Sequence, residues 1–498
     1  MWLSACVLTA AWLRFRGLGD VPLWMDELAT RAYVDLAWSD IFGPIAWLEP
    51  TPPAYYALIK LLAPVVGSGD TALRAPSALA GALAIIPLAL YLRENTGSRA
   101  AYIGAFLAAV WVVQIHYAQQ ARAYSLLFLF AATTLWFHGR LTRETPSKKN
   151  ADIIYFGLLL ASMVYIHVTS IFFIFALYGR AMIMVVIRPS TLNHIIVSHF
   201  IAGIIGLIIC IPLIFIVFGI VSDPESSISW MTEPSIGEGL RVYASVLGGH
   251  ALLSGSLLLG ASVAALIAYG AWLAVKMGRP AATADAVAAA IGAVALWCVS
   301  QMHPVLLERT ALILLVVALP PLAVALAYAP SRSLRFGLLA LIVASQGAAL
   351  VARDATRSET AYPEDWRGAV STLVARNAGE PVLVLGGFDV SVLPHLAPDF
   401  ARQASIRGVV RPGDRLSATV VDRLPYAARF RAEELCALTR GGALGVWSLG
   451  REDASGPELS IIEAALEARG SRLEEALSFG LVGLRRWSVL AGCQGSPE

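Results

Sequence analysis

Apolar runs about as long as a membrane-crossing helix recur along this chain as far as roughly Val351, and then stop. A helix needs about 20 apolar residues to cross the hydrocarbon core, where every backbone N–H and C=O must be bonded internally. The repeat therefore limits most of the chain to a bundle of helices in a bilayer. Hydrophobic residues are 57% of the sequence, charged residues 14%, and the mean hydropathy is +0.67, far from a soluble average. The net charge of +2, with no basic stripe interleaved with aromatics, gives no reason to expect a nucleic-acid partner. Five scattered cysteines show no metal-ligand spacing.

The first run, Met1 to Phe15, is short and lacks the basic residues that precede a signal peptide's apolar region, so it reads as a first membrane helix. Ten further spans are expected at about 73–92, 100–115, 123–139, 152–166, 170–187, 195–219, 251–275, 283–300, 310–329 and 336–352. Alternate connections collect the basic residues, among them Arg93, Arg99, Arg140, Arg143, Lys148, Lys149, Arg180, Arg188, Lys276, Arg279, Arg332 and Arg335. By the positive-inside rule these face the cytoplasm, which places the connection at 16–72 and the C-terminus outside. Arg14 and Arg16 run against the rule at the first helix. Inside the 16–72 connection, Ala54–Val66 is apolar but too short to span and suits a helix lying in the interface.

Beyond about Arg353 the composition changes. A helical Asp365–Arg376 precedes a strand-like Pro381–Gly387; a second such run, Leu444–Leu449, precedes an amphipathic Glu458–Arg469 and a strand-like Gly480–Trp487. The alternation predicts a small α/β domain over 353–498, set outside a membrane domain over 1–352. Gly386-Gly387 reads as a strand-to-loop turn, not a dinucleotide fingerprint. Cys436 and Cys493 both fall here, in the compartment expected to be oxidising, so a disulfide between them is an open alternative.

The candidate chemistry sits in the 16–72 connection. Trp24-Met25-Asp26-Glu27 opens it, with Arg31 following, and Glu49-Pro50-Thr51-Pro52-Pro53-Ala54-Tyr55-Tyr56 closes it ahead of Lys60. Ionised groups beside a membrane are expensive. Two readings fit the acids: a solvated interfacial loop anchored by Trp24, or a general base at the mouth of an apolar cavity, tuned by burial and a nearby Arg. The proline corner is stiff and presents Glu49 toward the same loop. A second cluster, His116-Tyr117-Ala118-Gln119-Gln120-Ala121-Arg122-Ala123-Tyr124, joins two spans on the same side, and a third runs from His303-Pro304 to Glu308-Arg309. Arg122 and Arg309 border the membrane and call for anionic partners. His138, His194 and His199 fit structural roles, and His167 and His250 have no motif around them.

Trp24-Met25-Asp26-Glu27, Glu49-Pro50-Thr51-Pro52-Pro53-Ala54-Tyr55-Tyr56, Ala72-Leu73-Arg74-Ala75-Pro76-Ser77-Ala78-Leu79 and the Tyr117–Tyr124 segment occur in that order. In this the chain resembles the bacterial relatives of protein O-mannosyltransferases and of the lipid A aminoarabinose transferase. These are C-type (GT-C) glycosyltransferases that use a polyprenyl-phosphate sugar. The resemblance implies that Asp26 matches the catalytic aspartate and Glu49 the second acid of the Pro-Pro corner. Thr51 stands where many relatives carry His, Pro50 where the aminoarabinose transferases carry a phosphate-binding Lys, and Gln120 where Glu is common. These departures bear on the donor-phosphate contacts and on any metal, and leave Asp26 in place.

The expectation is an inverting transferase in the bacterial inner membrane, moving one sugar from a polyprenyl-phosphate donor to a hydroxyl of a lipid, glycan or protein acceptor on the periplasmic face. Asp26 would be the base, with Glu49 beside it. Arg31, Lys60, Arg122 and Arg309, with Tyr55, Tyr56, Tyr117 and His303, would bind the donor, the cations stabilising the leaving phosphate. No cofactor is implied with certainty, and a divalent metal is left open. Two rivals belong to other classes: a transporter or flippase for a lipid-linked sugar, which would use polar groups near mid-span, and a non-catalytic subunit of an envelope complex.

Overall fold

The computed structural model describes residues 1–43, 45–46, 48, 51–143, 149–221, 232–249, 256–357, 363–439, 445–453 and 456–488. The chain divides into two compact units, one of Met1–Leu18, Arg74–Phe218 and Ile228–Ala355, the other of Gly19–Leu73, Gly219–Ser227 and Thr356–Glu498.

Among its described residues, the regular elements of the first unit are all helices. Among the described residues, seven helices are long and apolar enough to cross a membrane: Asp70–Asn95, Ser170–Ile187, Pro189–Phe218, Leu257–Lys276, Pro280–Ser300, Glu308–Tyr328 and Arg332–Ala355. The bent pair Ser98–Val110 and Val112–Ala118, turning through 52°, makes an eighth. The remaining expected spans are helices too. Trp2–Phe15 and Asn150–Ile166 are apolar but shorter, and Tyr124–Leu141 carries His138 and Arg140 in its last turn. Of the eleven expected spans, length and composition alone single out seven helices among the described residues, or eight with the bent pair. Exposed side chains along Leu192–Val221 include Phe200, Leu207, Ile208, Phe215 and Phe218, the surface of a helix whose solvent is lipid.

Two features of this unit depart from the sequence expectation. Arg14, a charge inside the first apolar run, is fully buried. Its guanidinium donates to the carbonyls of Ala108 (3.1 Å) and Ala109 (2.9 Å) and to Gln114 Oε1 (2.9 Å). The two carbonyls are among the acceptors that the break at Trp111 sets loose, and in lipid they need a donor. On the other side of the break, Val112 N–H donates to Gln346 Oε1 at 2.9 Å. Arg180, expected in a cytoplasmic connection, lies inside the helix Ser170–Ile187 and is wholly buried. It pairs with Asp285 at 2.5 Å, and Tyr91 Oη donates to the same carboxylate at 2.6 and 2.7 Å.

The second unit is built on a six-stranded sheet, β1 Val382–Leu385, β2 Ile406–Val409, β3 Ala428–Arg429, β4 Gly445–Arg451, β5 Leu473–Phe479 and β6 Val482–Ser488. The order is β3-β2-β1-β4-β6-β5; the first four are parallel, and β6 runs antiparallel to both β4 and β5. Its core joins Leu383, Leu385, Val409, Val446 and Trp487 to Ile462 and Leu466 of the helix Gly456–Glu467. The Gly386 turn ends β1 as expected, at φ +105, a left-handed backbone that favours glycine. Cys436 is disulfide-bonded; Cys493 lies outside the described residues.

Ionic stitching explains why Gly19–Leu73 belongs to this unit. Arg367 donates to the carbonyls of Gly19 (2.7 Å) and Asp20 (3.0 Å) and pairs with Asp70 at 2.6 Å. His395 contacts the same Asp70, and Arg423 pairs with Asp40 at 3.5 Å. The expected interfacial segment is a helix over Ala54–Val66.

Candidate active site

Asp26 is the second residue of the helix Met25–Asp35. Trp24, in extended conformation, is its N-cap and has no cap-forming oxygen in its side chain. Glu27 supplies one from three residues on, its carboxylate accepting the Trp24 N–H at 3.3 Å. The two acids therefore part. Glu27 is buried beneath the first turn, while Asp26 is half-buried and turned elsewhere, as adjacent residues on a helix must be. Both favour the positive end of the helix dipole.

The helix Ala54–Val66 packs against Met25–Asp35. Tyr55 and Tyr56 are buried in that packing, and Tyr56 stacks on Tyr33 with ring centroids 3.9 Å apart. Tyr33 in turn lies 6.3 Å from the ring of Phe388. Lys60 Nζ donates to the Val34 carbonyl at 2.6 Å and sits 5.5 Å from the Trp38 ring, so it caps the far end of the Asp26 helix. Arg31 pairs with Asp35 at 2.6 Å, its i,i+4 partner toward the C-terminus. These four candidates thus have structural partners around Asp26. Glu49 and Pro50 lie outside the described residues.

In the helical unit, the Tyr117 segment and the Arg309 segment meet. Tyr117 Oη donates to Glu308 Oε1 at 3.3 Å, and the rings of Tyr117 and Tyr124 contact edge to face at 5.4 Å. Ser77 Oγ donates to the Arg122 carbonyl at 2.9 Å, which ties the Ala72–Leu79 segment to the same place. His167, which no motif singled out, completes the cluster, 5.5 Å from Tyr124. Burial, with the charges of Arg122 and Arg309 nearby, pushes its imidazole down to about 3, so it is neutral at physiological pH. Two guanidinium groups gathered beside a neutral ring and tyrosine hydroxyls are chemistry suited to an anion such as a phosphate monoester or diester. The sequence signal for His167 was only its place at the same end of the bundle as Arg122. His303 is exposed beyond the helix Pro280–Ser300.

Among the described residues, no group of three or more His, Cys, Asp and Glu is arranged to hold a metal ion. A cavity of about 550 Å³ opens at the amino ends of β2 and β3, lined by Arg402, Arg407, Pro425 and Tyr426 among others. None of the candidates above lines it.

Residues 50–216 match the family model described as dolichyl-phosphate-mannose-protein mannosyltransferase. That stretch includes Tyr55, Tyr56, Lys60, Tyr117 and Arg122, and excludes Asp26 and Arg309. The structure is similar to that of ArnT from Cupriavidus metallidurans in the apo state, with TM-score 0.66 and 14% identity, covering 100% of this chain and 99% of that one. The same protein bound to undecaprenyl phosphate gives 0.60 and 14%, covering 97% and 98%. The archaeal oligosaccharyltransferase AglB from Archaeoglobus fulgidus, in complex with an inhibitory peptide and a dolichol-phosphate, gives 0.51 and 13%, covering 97% and 73%. No curated protein sequence matches. The family match indicates a glycosyltransferase, and the structural likenesses establish the fold seen in the sequence resemblance, that of C-type enzymes with a small C-terminal sheet domain.

Proposed function

We propose that this chain transfers a sugar from a polyprenyl-phosphate donor to a hydroxyl acceptor at the periplasmic face of the inner membrane, with inversion at the anomeric carbon. The observation that carries the reading is the parting of the two acids. Glu27 is buried and caps its own helix, while Asp26 is half-buried at the helix's positive end. In the reaction, the Asp26 carboxylate takes the acceptor's hydroxyl proton as its oxygen attacks the anomeric carbon. The bond from that carbon to the phosphate oxygen breaks, and the polyprenyl phosphate leaves with the electron pair. Arg122 and Arg309 carry the charge that would meet the lipid phosphate, and a neutral His167 beside them adds no competing proton. The donor class is supported by the family match and by what the ArnT and AglB structures hold.

A flippase is the rival with a structural argument, because transporters bind substrate at broken helices, and Ser98–Val110 with Val112–Ala118 is one. Here the break is already occupied: Arg14 takes its carbonyls and Gln346 its amide. Purified protein in vesicles, given radiolabelled polyprenyl-phosphate mannose and other lipid-linked sugars, tests the choice. Release of polyprenyl phosphate with label moved to an acceptor fits transfer. Movement of intact donor between leaflets, without release, contradicts it.

A further inference from the structure

In open α/β sheets the carboxyl ends of the parallel strands form the edge at which ligands bind. In this chain the helix Met25–Asp35 occupies that edge. β1 leads through Gly386 to Phe388, Asp389 and Ser391, and Ser391 Oγ donates to the Leu28 carbonyl at 3.0 Å while Phe388 faces Tyr33. β4 ends at Arg451, whose guanidinium reaches Met25 Sδ at 3.6 Å.

The tightest link is Glu364. Met25 N–H is one of the first-turn amides that no helical carbonyl can satisfy, and it donates to Glu364 Oε2 at 2.9 Å across 339 residues of sequence. Trp366 Nε1 donates to the same oxygen at 3.1 Å, and Arg451 Nη1 pairs with Oε1 at 2.9 Å. Arg451 is held from behind by Asp453, at 2.7 and 3.0 Å. The backbone of Glu364 is itself fixed, bridged to Gly480 at the β5–β6 turn, with Leu481 N–H donating to the Pro363 carbonyl at 2.5 Å. A buried carboxylate with this many partners is more than a helix end needs, since a neutral oxygen would satisfy one amide without the cost of burying charge.

We infer that Glu364, locked by Arg451, is a positioning residue for the reaction: through the Met25 amide it sets where the Asp26 carboxylate points. The inference rests on the reading of Asp26 as the base. Asp26 is one residue from the clamped amide, and a misplacement of about 1 Å in a reacting group can cost about 10²-fold in rate. The C-terminal domain then serves the chemistry itself, although every motif of the resemblance precedes it.

The test uses the full chain in vesicles and three variants: Glu364→Ala, Glu364→Gln and Met25→Pro. Proline is tolerated at the first helical position and removes the N–H in question, together with the Met25 Sδ contact to Arg451; Trp24 at φ −92, ψ 172 already has the extended conformation a following proline requires. Backbone hydrogen exchange over residues 27–35, undecaprenyl-phosphate binding, and kcat and KM with whichever lipid-linked sugar the wild type turns over are measured. Glu364→Ala and Met25→Pro should exchange faster by about tenfold or more and lose about 10- to 100-fold in kcat. Undecaprenyl-phosphate affinity and donor KM should stay near wild type. Glu364→Gln, whose side-chain oxygen still accepts the Met25 N–H, should recover most of the rate. Faster exchange with wild-type kcat makes Glu364 merely structural and overturns the inference, as does unchanged exchange. If Glu364→Ala fails to fold, Met25→Pro decides. A wild type that turns over no lipid-linked sugar sinks the transferase reading instead, and exchange still judges the clamp.

Discussion

At the scale of single residues, several of the charges singled out in the sequence have structural partners. Arg31 and Lys60 looked like donor cations and are engaged with Asp35 and the Val34 carbonyl. Arg180 looked like a loop residue and is the centre of a buried network with Asp285 and Tyr91. Breaking a buried ion pair from one side leaves the other charge stranded and costs about 3–5 kcal/mol. Arg180→Met should therefore lower the unfolding midpoint in detergent sharply, whereas Arg180→Met with Asp285→Leu should recover most of it. An Arg180→Met protein as stable as wild type would show the pair contributes nothing. The signal for this pair was present in the sequence, as a lone Arg and a lone Asp inside two apolar runs. Their pairing was not, because nothing local links residues 105 apart.

At the scale of elements, much was legible and the failures have physical causes. The helix Trp366–Arg376 and strands β1, β4 and β6 fall where the apolar pattern put them, as does the interfacial helix Ala54–Val66. Strand β5 was missed because it is an edge strand whose residues are half-buried or exposed throughout, so Leu-Glu-Glu-Ala-Leu carries no alternation. The break at Trp111 was missed because its cap, Arg14, comes from another helix. The clamp on the Asp26 helix was invisible for the same reason. Its neighbour Asp389, at the end of β1, gives a test of this element. Burial, reinforced by Glu364 and Glu458 and opposed by Arg451, raises its carboxyl to about 8 from 3.8. Between those values the folded protein holds a proton that the unfolded chain has released. Stability should therefore fall as pH rises through this window and level off above about 8. Thermal melts of Asp389→Asn should show a shallower decline from pH 5 to 8 than wild type. Identical slopes would remove Asp389 as the cause.

At the scale of the whole molecule, the membrane class and the C-terminal α/β domain were readable from apolar length and its sudden end. The grouping of Gly19–Leu73 with that domain was not, since it depends on Arg367, His395 and Glu364 reaching residues hundreds of positions away. With Arg180 removed from the tally, the alternation of basic connections remains the ground for proposing a C-terminus outside the membrane. An alkaline phosphatase fused at the C-terminus should be active and a green fluorescent protein dark; the reverse would put the domain in the cytoplasm. The central claim is that Asp26 is the base, and one pair of variants tests it most directly. Asp26→Asn keeps the side chain's shape and removes the proton acceptor, so sugar transfer by the reconstituted protein should fall by about 10²–10⁴ while undecaprenyl phosphate still binds. Glu27→Gln can still cap Trp24 and should retain most of the rate. Near wild-type transfer by a folded Asp26→Asn protein, or loss of transfer confined to Glu27→Gln, would contradict the account.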